Sequence, residues 1–335
     1  MPKVTVLLPV RNAAPTLEEA VQSILCQTLK DIELIAVDDG SSDGSLAIMR
    51  RLARSDGRVR VMTQGPLGIV AALNAGLGAA SSALVARMDA DDRSHPERLE
   101  RQIALAEARR DLAVVGCLVE CVSGGGLTDG MRQYEQWLNS VVTHEDVVRE
   151  IFVESPFAHP SVLLRRDAVL AVGGYRAGPF PEDYDLWLRL YAAGYRMAKV
   201  PLVLLEWRDG PRRLSRTDPR YSVQAFRRLK AEYLTSVFLK GQKEVQMCGA
   251  GPLARAMALE LYARGVRVVR HLDVDPRKVG RRLKTGAVVV HWSEVRHLRD
   301  MPMVCAVGQR GARPRIRAEL VGIGFQEGVD FVFVQ

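Results

Sequence analysis

The stretch LVARMDADDRSHPERLERQ, residues 84–102, runs from an apolar strand-like segment into three aspartates and then into a helix-like segment. Grouped carboxylates such as Asp89, Asp91 and Asp92 repel one another and resist desolvation unless a cation, a donor or water compensates them. The alternative is a solvated loop in which Asp92 or Ser94 caps the following helix. Other motifs of the chain are needed to distinguish a ligand site from a turn.

The first hundred residues alternate short β-branched runs with helix-period segments. The runs are VTVLLPV (4–10), IELIAVDD (32–39), RVRVMT (58–63) and ALVARMDADD (83–92), and the helix-like segments between them are 15–28, 45–54 and 68–80. This alternation predicts βαβ units and a mostly parallel sheet. Ligands gather at the carboxyl ends of the strands in such sheets, which is where residues 9–12, 38–42 and 89–92 are expected.

A second strand-like beginning follows Gly241. In the stretch KEVQMCGAGPLARAMALELYARGVRVVRHLDVDP (243–276), Gly249 and Gly251 belong to a GxGxxA turn, and Asp273 follows the next strand. This is the layout of a small Rossmann-like unit, with a nucleotide at the helix N-terminus and an acid on the ribose. We therefore expect a domain over 1–240 and a smaller α/β domain over 241–335 with a binding, regulatory or assembly role.

Composition and charge narrow the functional classes. The 335-residue chain carries 47 Lys and Arg against 39 Asp and Glu, which gives a net charge of +8 and a pI near 9.4. A basic surface fits anionic ligands, phosphates or an acidic membrane face. We expect no nucleic-acid partner, because the basic residues are scattered and no nucleic-acid-binding motif is present.

Cysteine usage and hydropathy bear on the compartment. The five cysteines are odd in number and form no CxxC pair, so they are expected to be buried free thiols of a reducing compartment. The chain shows no signal-peptide pattern and no apolar run of transmembrane length. A cytoplasmic protein is therefore expected, either soluble or peripheral at the inner membrane face.

The three aspartates at 89–92 have a pattern that suits a metal ion. If the strand continues through them, Asp89 and Asp91 share one face and Asp92 points away. Paired carboxylates beside a basic, phosphate-binding cleft suit Mn²⁺ or Mg²⁺, which are hard cations with oxygen ligands.

Four motifs together resemble a known enzyme family. VTVLLPVRNA (4–13), AVDDGSSDGS (36–45), RMDADDRSHPERLERQ (87–102) and PEDYDLWLRLYAAG (181–194), in this order and at these separations, are similar to an inverting family 2 glycosyltransferase over roughly the first 210 residues. The resemblance implies the GT-A fold, a Rossmann-like mixed sheet flanked by helices. It also implies transfer of a sugar from a nucleoside diphosphate sugar, with UDP- or dTDP-sugars favoured, to a hydroxyl of a glycan or lipid-linked acceptor in surface polysaccharide or other glycan synthesis.

The resemblance also implies roles for individual residues. The nucleotide would be bound by Pro9, Val10, Arg11, Asp39 and Asp89, and the divalent cation by Asp91. The general base would be Asp183. Further candidates on the diphosphate or acceptor side are Asp92, Glu182, His159, Arg208 and Arg216. The basic segment 208–220 looks like a mobile loop and lacks the histidine that family members often carry there, which leaves the diphosphate clamp open.

Other interpretations stand beside this one. Asp183 follows Pro181 in what reads as an ordinary helix start, with Asp185 and Arg189 spaced to form an ion pair. The chain could be a non-catalytic sugar-nucleotide sensor or scaffold that has kept the donor pocket. It could also be an NAD-linked oxidoreductase built on residues 241–335. Peripheral membrane contact and a homo-oligomer both remain open as modes of association.

Overall fold

The computed structural model describes residues 1–210 and 213–335 and divides into two compact units. Unit 1 comprises Met1–Val147 and Pro156–Asp218. Unit 2 comprises Val148–Ser155 and Pro219–Gln335.

Unit 1 is an α/β unit with eight strands among its described residues. The strands are β1 Val4–Val10, β2 Ile32–Asp39, β3 Val59–Gln64, β4 Leu84–Arg87, β5 Arg93–Ser94, β6 Leu112–Val122, β7 Leu163–Arg165 and β8 Arg196–Arg208. The helices are α1 Leu17–Leu25, α2 Ser45–Ser55, α3 Ile69–Ala79, α4 Arg98–Ala108, α5 Asp129–Ser140, α6 His144–Glu150, α7 Arg166–Ala171, α8 Glu182–Ala192 and α9 Leu214–Thr217, with the end of α6 in unit 2.

The eight strands form one mixed sheet. Their order is β3-β2-β1-β4-β7-β6-β8-β5, with β7 antiparallel to both neighbours and β5 antiparallel to β8. Strands β1 and β2 are apolar and buried on both faces, which is typical of parallel strands covered by helices on each side. Their register places Val10 opposite Asp38, so the loops after β1 and β2 leave the sheet at the same edge.

Helices cover the two faces of this sheet. Alternate residues of β1, including Val6 and Leu8, join the core cluster that contains residues of α1, α2 and α4. On the other face α3 packs closely, because a Cβ at Gly76 would lie 3.0 Å from the Leu7 side chain. The glycine thus lets the helix approach the sheet.

The predicted mixed sheet with flanking helices is confirmed, and several boundaries follow the sequence pattern closely. Strands β1 and β2 have the predicted limits. Strand β4 is the exception, since it ends at Arg87 and the aspartates after it lie in a turn. The prediction that a continuing strand would separate Asp92 from Asp89 and Asp91 was therefore wrong.

Unit 2 contains the expected second, smaller sheet. Strands β9 Glu244–Cys248, β10 Arg267–Asp273, β11 Val288–His291, β12 Met303–Cys305 and β13 Phe331–Phe333 are all parallel, in the order β11-β10-β9-β12-β13. The helices are α10 Val223–Tyr233, α11 Pro252–Tyr262 and α12 Ala312–Gly322.

The limits of unit 2 differ from a single boundary near residue 240. Helix α10 belongs to unit 2, because the Arg228 carbonyl accepts a hydrogen bond from Arg264 and Glu260 of α11 lies 3.8 Å from Arg227. The second of the two chain segments that form unit 2 therefore begins at Pro219.

The segment Val148–Ser155 is the other part of unit 2 that the sequence did not reveal. The buried Glu150 carboxylate accepts hydrogen bonds from Arg313 and Arg317, and the Lys230 ammonium donates to the Val153 carbonyl. Charge-assisted bonds of this kind are strong when desolvated, so they hold the segment to unit 2.

The predictions about the cysteines and about membrane-spanning segments can be compared with the structure. Four of the cysteines are buried and free as predicted, but Cys26 is exposed because it lies at the end of α1. Within the described parts of the chain, no helix is both long enough and apolar enough to cross a bilayer.

Candidate active site

The loops after β1 and β2 are tied together at the carboxyl edge of the unit 1 sheet. Asn12 adopts a left-handed φ of 52°, a region that asparagine tolerates better than most residues. Its side-chain oxygen accepts the Ser42 N–H at 2.8 Å, and its own N–H donates to the Ser41 hydroxyl at 3.1 Å. Pro9, Val10 and Arg11 therefore lead into a loop with a fixed shape.

Asp39, predicted to bind the base, is buried and already has several partners. Its carboxylate accepts hydrogen bonds from Gln64, Leu67 and Gly68 at 2.8 to 3.0 Å, and Arg11 lies 3.4 Å away. A carboxylate offers about four acceptor positions, so Asp39 has little capacity left. In this structure it organises the loop after β3.

Asp38 is also buried, and its interactions are weaker. The Ser41 N–H approaches its two oxygens at only 3.3 and 3.4 Å. Of the two neighbouring aspartates, Asp38 therefore keeps more capacity to accept from a ligand.

The acidic cluster, defined as Asp89, Asp91 and Asp92, forms beyond the end of β4. Each residue offers a carboxylate oxygen, and these three oxygens all lie within 4.8 Å of one another. Asp92 turns into the cluster and is buried, with one oxygen accepting the Arg208 N–H at 2.9 Å. Its other oxygen is buried with no hydrogen-bond partner among the described residues.

The acidic cluster is only partly compensated by positive charge, although Arg87 forms an ion pair with Asp89. Burial, reinforced by Asp89, raises the pKa of Asp91, and burial with both neighbours raises the pKa of Asp92 well above its usual value. Three close carboxylates with an unpartnered buried oxygen suit a hard divalent cation such as Mn²⁺ or Mg²⁺. The residues that would hold such an ion are the three members of the acidic cluster.

Arg87, the last residue of β4, is a buried cation that the sequence reasoning missed. It forms an ion pair with Asp89, and this attraction outweighs the desolvation that works against the charged guanidinium, so its pKa is raised. Its charge also opposes protonation of Asp183 and lowers the pKa of His159. The sequence signal for Arg87 was the presence of an arginine at the end of an otherwise apolar strand.

Asp183 is the second residue of α8, and its side chain is only partly exposed. One oxygen accepts the N–H of Tyr184 at 2.7 Å. Burial and the neighbouring Glu182 raise the pKa of Asp183 to about 7, against the opposing effect of Arg87. A carboxylate with this pKa can exchange a proton near neutral pH, which an ordinary helix-start aspartate does not do.

His159 and Glu182 lie together in the interior. The His159 Nε2 is 2.9 Å from the Tyr175 hydroxyl, and its Nδ1 is 3.9 Å from the buried Glu182 carboxylate. Burial, with Arg87 adding to it, lowers the pKa of His159 well below its usual value, so the ring is neutral. The structure gives both residues buried packing positions on the Asp183 side of the site.

Three arginines at the end of β8 and in the following loop, Arg208, Arg213 and Arg216, have different surroundings. Arg208 pairs with Glu19 at 2.6 Å, and Arg216 pairs with Asp209 at 2.5 Å. Arg213 lies over the Trp207 ring at 4.2 Å, and its charge lowers the pKa of both Asp91 and Asp92. Pro211 and Arg212 of the predicted basic loop lie outside the described residues, and residues 214–217 form α9.

Asp273 in unit 2 lies at the end of β10, beside the glycine turn as expected. Its carboxylate accepts the Ala250 N–H and a Lys278 hydrogen bond, both at 2.9 Å. Although burial works against ionisation, these donors and the Asp275 N–H lower the pKa of Asp273. Gly249 and Gly251 lie on either side of Ala250, so the acid fixes the turn between β9 and α11.

Comparison with known proteins decides the family. The sequence profile described as Glycosyl transferase family 2 matches residues 5–173. The putative glycosyltransferase EpsE of Bacillus subtilis is 33% identical over 248 residues, which cover 68% of this chain and 84% of EpsE. The chain belongs to glycosyl transferase family 2.

Other relatives of this family 2 glycosyltransferase carry more specific names. The amylovoran biosynthesis glycosyltransferase AmsE of Erwinia amylovora is 34% identical over 195 residues, covering 58% of this chain and 71% of AmsE. A UDP-Gal:alpha-D-GlcNAc-diphosphoundecaprenol beta-1,3-galactosyltransferase of Escherichia coli is 28% identical over 210 residues, covering 62% and 74%.

Solved structures confirm the GT-A fold of the family 2 glycosyltransferase. S. aureus TarS in complex with UDP-GlcNAc aligns with a TM-score of 0.56 at 18% identity, over 71% of this chain and 68% of that one. The mannosyltransferase PcManGT from Pyrobaculum calidifontis, in complex with GDP-Man and Mn²⁺, aligns with a TM-score of 0.51 at 22% identity, over 78% and 69%. The family profile ends before Asp183.

Proposed function

We propose that this enzyme is an inverting glycosyltransferase that moves a sugar from a nucleoside diphosphate sugar to an acceptor hydroxyl, with Asp183 as general base. The observation that carries the proposal is the pairing of two unlike carboxylate sites in unit 1. In the acidic cluster, burial and neighbouring acids raise the pKa of Asp91 and Asp92, which suits a cation site, whereas the single carboxylate of Asp183 has a pKa of about 7.

Inversion requires one displacement at the anomeric carbon. The acceptor hydroxyl attacks from the face opposite the diphosphate, and ionised Asp183 takes its proton as the new C–O bond forms. Burial and Glu182 make the Asp183 carboxylate more basic than a solvated aspartate, while Arg87 keeps part of the population ionised at neutral pH. His159, whose ring is neutral, and Tyr175 are buried and in contact with each other.

The donor is proposed to lie across the carboxyl ends of β1, β2 and β4. Pro9, Val10 and Arg11 would border the base, with Asp38 accepting from it and Asp39, the predicted acceptor, organising the adjoining loop. The cation supplies charge neutralisation for the departing nucleoside diphosphate when it is bound. Arg213, whose charge acts on Asp91 and Asp92, would add a bidentate contact to the diphosphate, a role predicted for Arg208 and Arg216.

The proposed substrates follow from the relatives. The names of AmsE and the galactosyltransferase refer to polysaccharide or lipid-linked glycan synthesis, and TarS was solved with UDP-GlcNAc. We favour a UDP- or dTDP-sugar donor and a glycan or lipid-linked acceptor in surface polysaccharide or other glycan synthesis. The net charge of +8 suits a protein that works in the cytoplasm against an acidic inner membrane face.

A donor screen tests the function. The full chain is incubated with UDP-, dTDP- and GDP-sugars, with Mn²⁺, Mg²⁺ or EDTA, and release of nucleoside diphosphate is measured with and without a panel of glycan and lipid-linked acceptors. Metal-dependent release that increases with one acceptor supports the proposal, and analysis of the anomeric product reports inversion. Saturable donor binding without turnover on the whole panel would favour the non-catalytic sensor instead.

A further inference from the structure

Unit 2 contains a cleft of about 850 Å³ that glycosyl transfer does not use. The cleft lies at the carboxyl end of the parallel sheet, where Cys248 ends β9, Asp273 ends β10 and Ala306 follows β12. Small-molecule sites commonly occupy about 300–1,000 Å³ and lie at this edge of parallel sheets. The volume is therefore sufficient for a mononucleotide.

One part of the cleft is apolar. Its lining includes Leu253, Leu272, Val274, Trp292, Val307 and Ile316. An aromatic and aliphatic lining of this kind suits a flat heterocycle, because a base buries apolar faces while keeping polar edges.

The glycine turn gives evidence about what the cleft receives. Gly249 is required by the fold, since its φ is +98° and a Cβ there would lie 3.0 Å from the Ala306 carbonyl oxygen. Gly251 is not required by the fold, because its φ is −77° and a Cβ would meet nothing within 4 Å. Gly251 borders the cleft, so the space left by its missing side chain is open to a ligand that approaches the backbone closely.

The charged groups around the cleft fit the polar parts of a nucleotide. Helices α11 and α12 both begin at the cleft, and the free N–H groups of a first helical turn attract phosphate. Arg315 of α12 borders the cleft, is exposed and forms no ion pair among the described residues. Lys278 also borders it and has donors beyond its bond to Asp273.

The acids of the cleft do not cancel this preference. Asp273 is compensated by Lys278 and Ala250, and Asp275 is paired with Arg277 at 3.0 Å. Glu319 lies one turn of α12 beyond Arg315, where a carboxylate can accept from ribose hydroxyls.

We propose that the unit 2 cleft binds a nucleoside diphosphate, with the diphosphate at Gly251 and Arg315 and the base against the apolar lining. The ligand is either a free nucleoside diphosphate or the corresponding half of a dinucleotide. Binding here needs no divalent cation, because the unit supplies its own cations and helix N-termini. The proposal does not depend on the reaction assigned to unit 1.

Calorimetric titration of the full chain in EDTA tests the proposal, with UDP, GDP, ADP, NAD⁺ and inorganic phosphate as probes. EDTA suppresses cation-bridged binding in unit 1, and repeating the titration with Asp91→Asn checks that the signal does not come from the acidic cluster. We expect one nucleotide to bind with the same affinity in both chains. UDP, GDP or ADP would indicate a free nucleoside diphosphate, and NAD⁺ alone a dinucleotide.

Gly251→Asp is the decisive variant. Aspartate is a favoured N-cap residue, so α11 should be as stable as before, while the new carboxylate repels phosphate. We expect the affinity to fall at least about tenfold in Gly251→Asp and about threefold to tenfold in Arg315→Gln, the range for losing a charge-assisted contact. Arg296→Gln, an exposed arginine of unit 2 outside the cleft, should bind normally.

Three results would overturn the proposal. The first is the absence of any metal-independent nucleotide binding. The second is a Gly251→Asp protein that is folded and binds with unchanged affinity. The third is inorganic phosphate binding as tightly as every nucleotide, since the apolar lining would then contribute nothing to recognition.

Discussion

Both units have carboxylates at or just beyond the carboxyl end of a sheet strand, but the surroundings shift the pKa of these carboxylates in opposite directions. In unit 2 Asp273 receives an N–H group and the Lys278 ammonium, and its pKa is lowered. In unit 1 Asp91 is half-buried and Asp92 is buried, both close to other acids, and the pKa of each is raised. A carboxylate that receives hydrogen bonds and a cation from its own fold stabilises a loop, whereas a carboxylate without enough of these partners favours binding of a cation.

The contrast assigns the chemistry to unit 1, and Asp183→Asn tests that assignment most severely. We expect the turnover number to fall by roughly 10²–10⁴, because a general base typically contributes that much. Steady-state rates with the verified donor and acceptor measure the loss. An Asp183→Asn enzyme with turnover within threefold of the original would remove Asp183 from the mechanism.

The matched control for this variant is Asp129→Asn, an exposed aspartate in the first turn of α5. Because the pKa of Asp183 is raised from 3.8 to about 7 in the fold, its contribution to stability is lost as the pH rises from about 4 to about 7, so Asp183→Asn should melt no lower at pH 8. For the same reason the rate of the unmodified enzyme should fall as the pH drops through about 7, since protonated Asp183 accepts no proton.

The unsatisfied state of the acidic cluster is tested by Asp91→Asn. Losing one carboxylate should weaken Mn²⁺ binding by about 10- to 100-fold, the range seen when a group that supports a metal ion is removed. Thermal melting of the full chain over a Mn²⁺ series gives the apparent affinity, because a bound ion raises stability by mass action. The same ion-induced shift in both proteins would place the metal elsewhere.

The loop after β8 offers a paired test that separates Arg213 from Arg216. Arg213→Gln should raise the donor KM by roughly tenfold, the effect of losing one charge-assisted contact. Arg216→Gln should change it less than about twofold, because Arg216 is about half exposed, whereas Arg213, which lies 3.8 Å from the same Asp209, is mostly buried and its charge acts on Asp91 and Asp92. If the larger effect belongs to Arg216, the arrangement around Trp207 is not the one that holds the donor.

The comparison between the units has a direct thermodynamic form. In EDTA, Asp92→Asn should raise the free energy of unfolding by about 1 kcal/mol, because it removes a buried like charge. Asp273→Asn should lower it by about 1–2 kcal/mol, because it weakens the hydrogen bonds that hold the glycine turn. Chemical denaturation of the two variants measures both, and shifts of the same sign would contradict the contrast.

The fold was largely predictable because its signals are local. The alternation of β-branched runs and helix-period segments predicted the limits of β1 and β2, and the GxGxxA turn marked β9 and α11. The end of β4 was not predictable from the strand period, because the turn at 89–92 forms where the carboxylates meet Arg87 and the Arg208 N–H.

The sequence identified candidate acidic residues of the site, but it did not identify the arginines beside them. Asp89, Asp91 and Asp183 stand in motifs, so the sequence names them. Arg87 and Arg213 acquire their roles only through burial and proximity to residues far along the chain, which no spacing encodes. The same limit applies to Asp39, whose partners Leu67 and Gly68 come from the next loop.

The path of the chain has a consequence for how this protein can be divided. The polypeptide enters unit 2 at Val148, returns to unit 1 at Pro156 and leaves again at Pro219, so no single cut yields both units intact. Cleavage near residue 240 would separate Arg313 and Arg317 from the chain that carries Glu150, leaving that carboxylate without these two partners. The smaller unit is thus an interwoven part of the polypeptide rather than a detachable appendage.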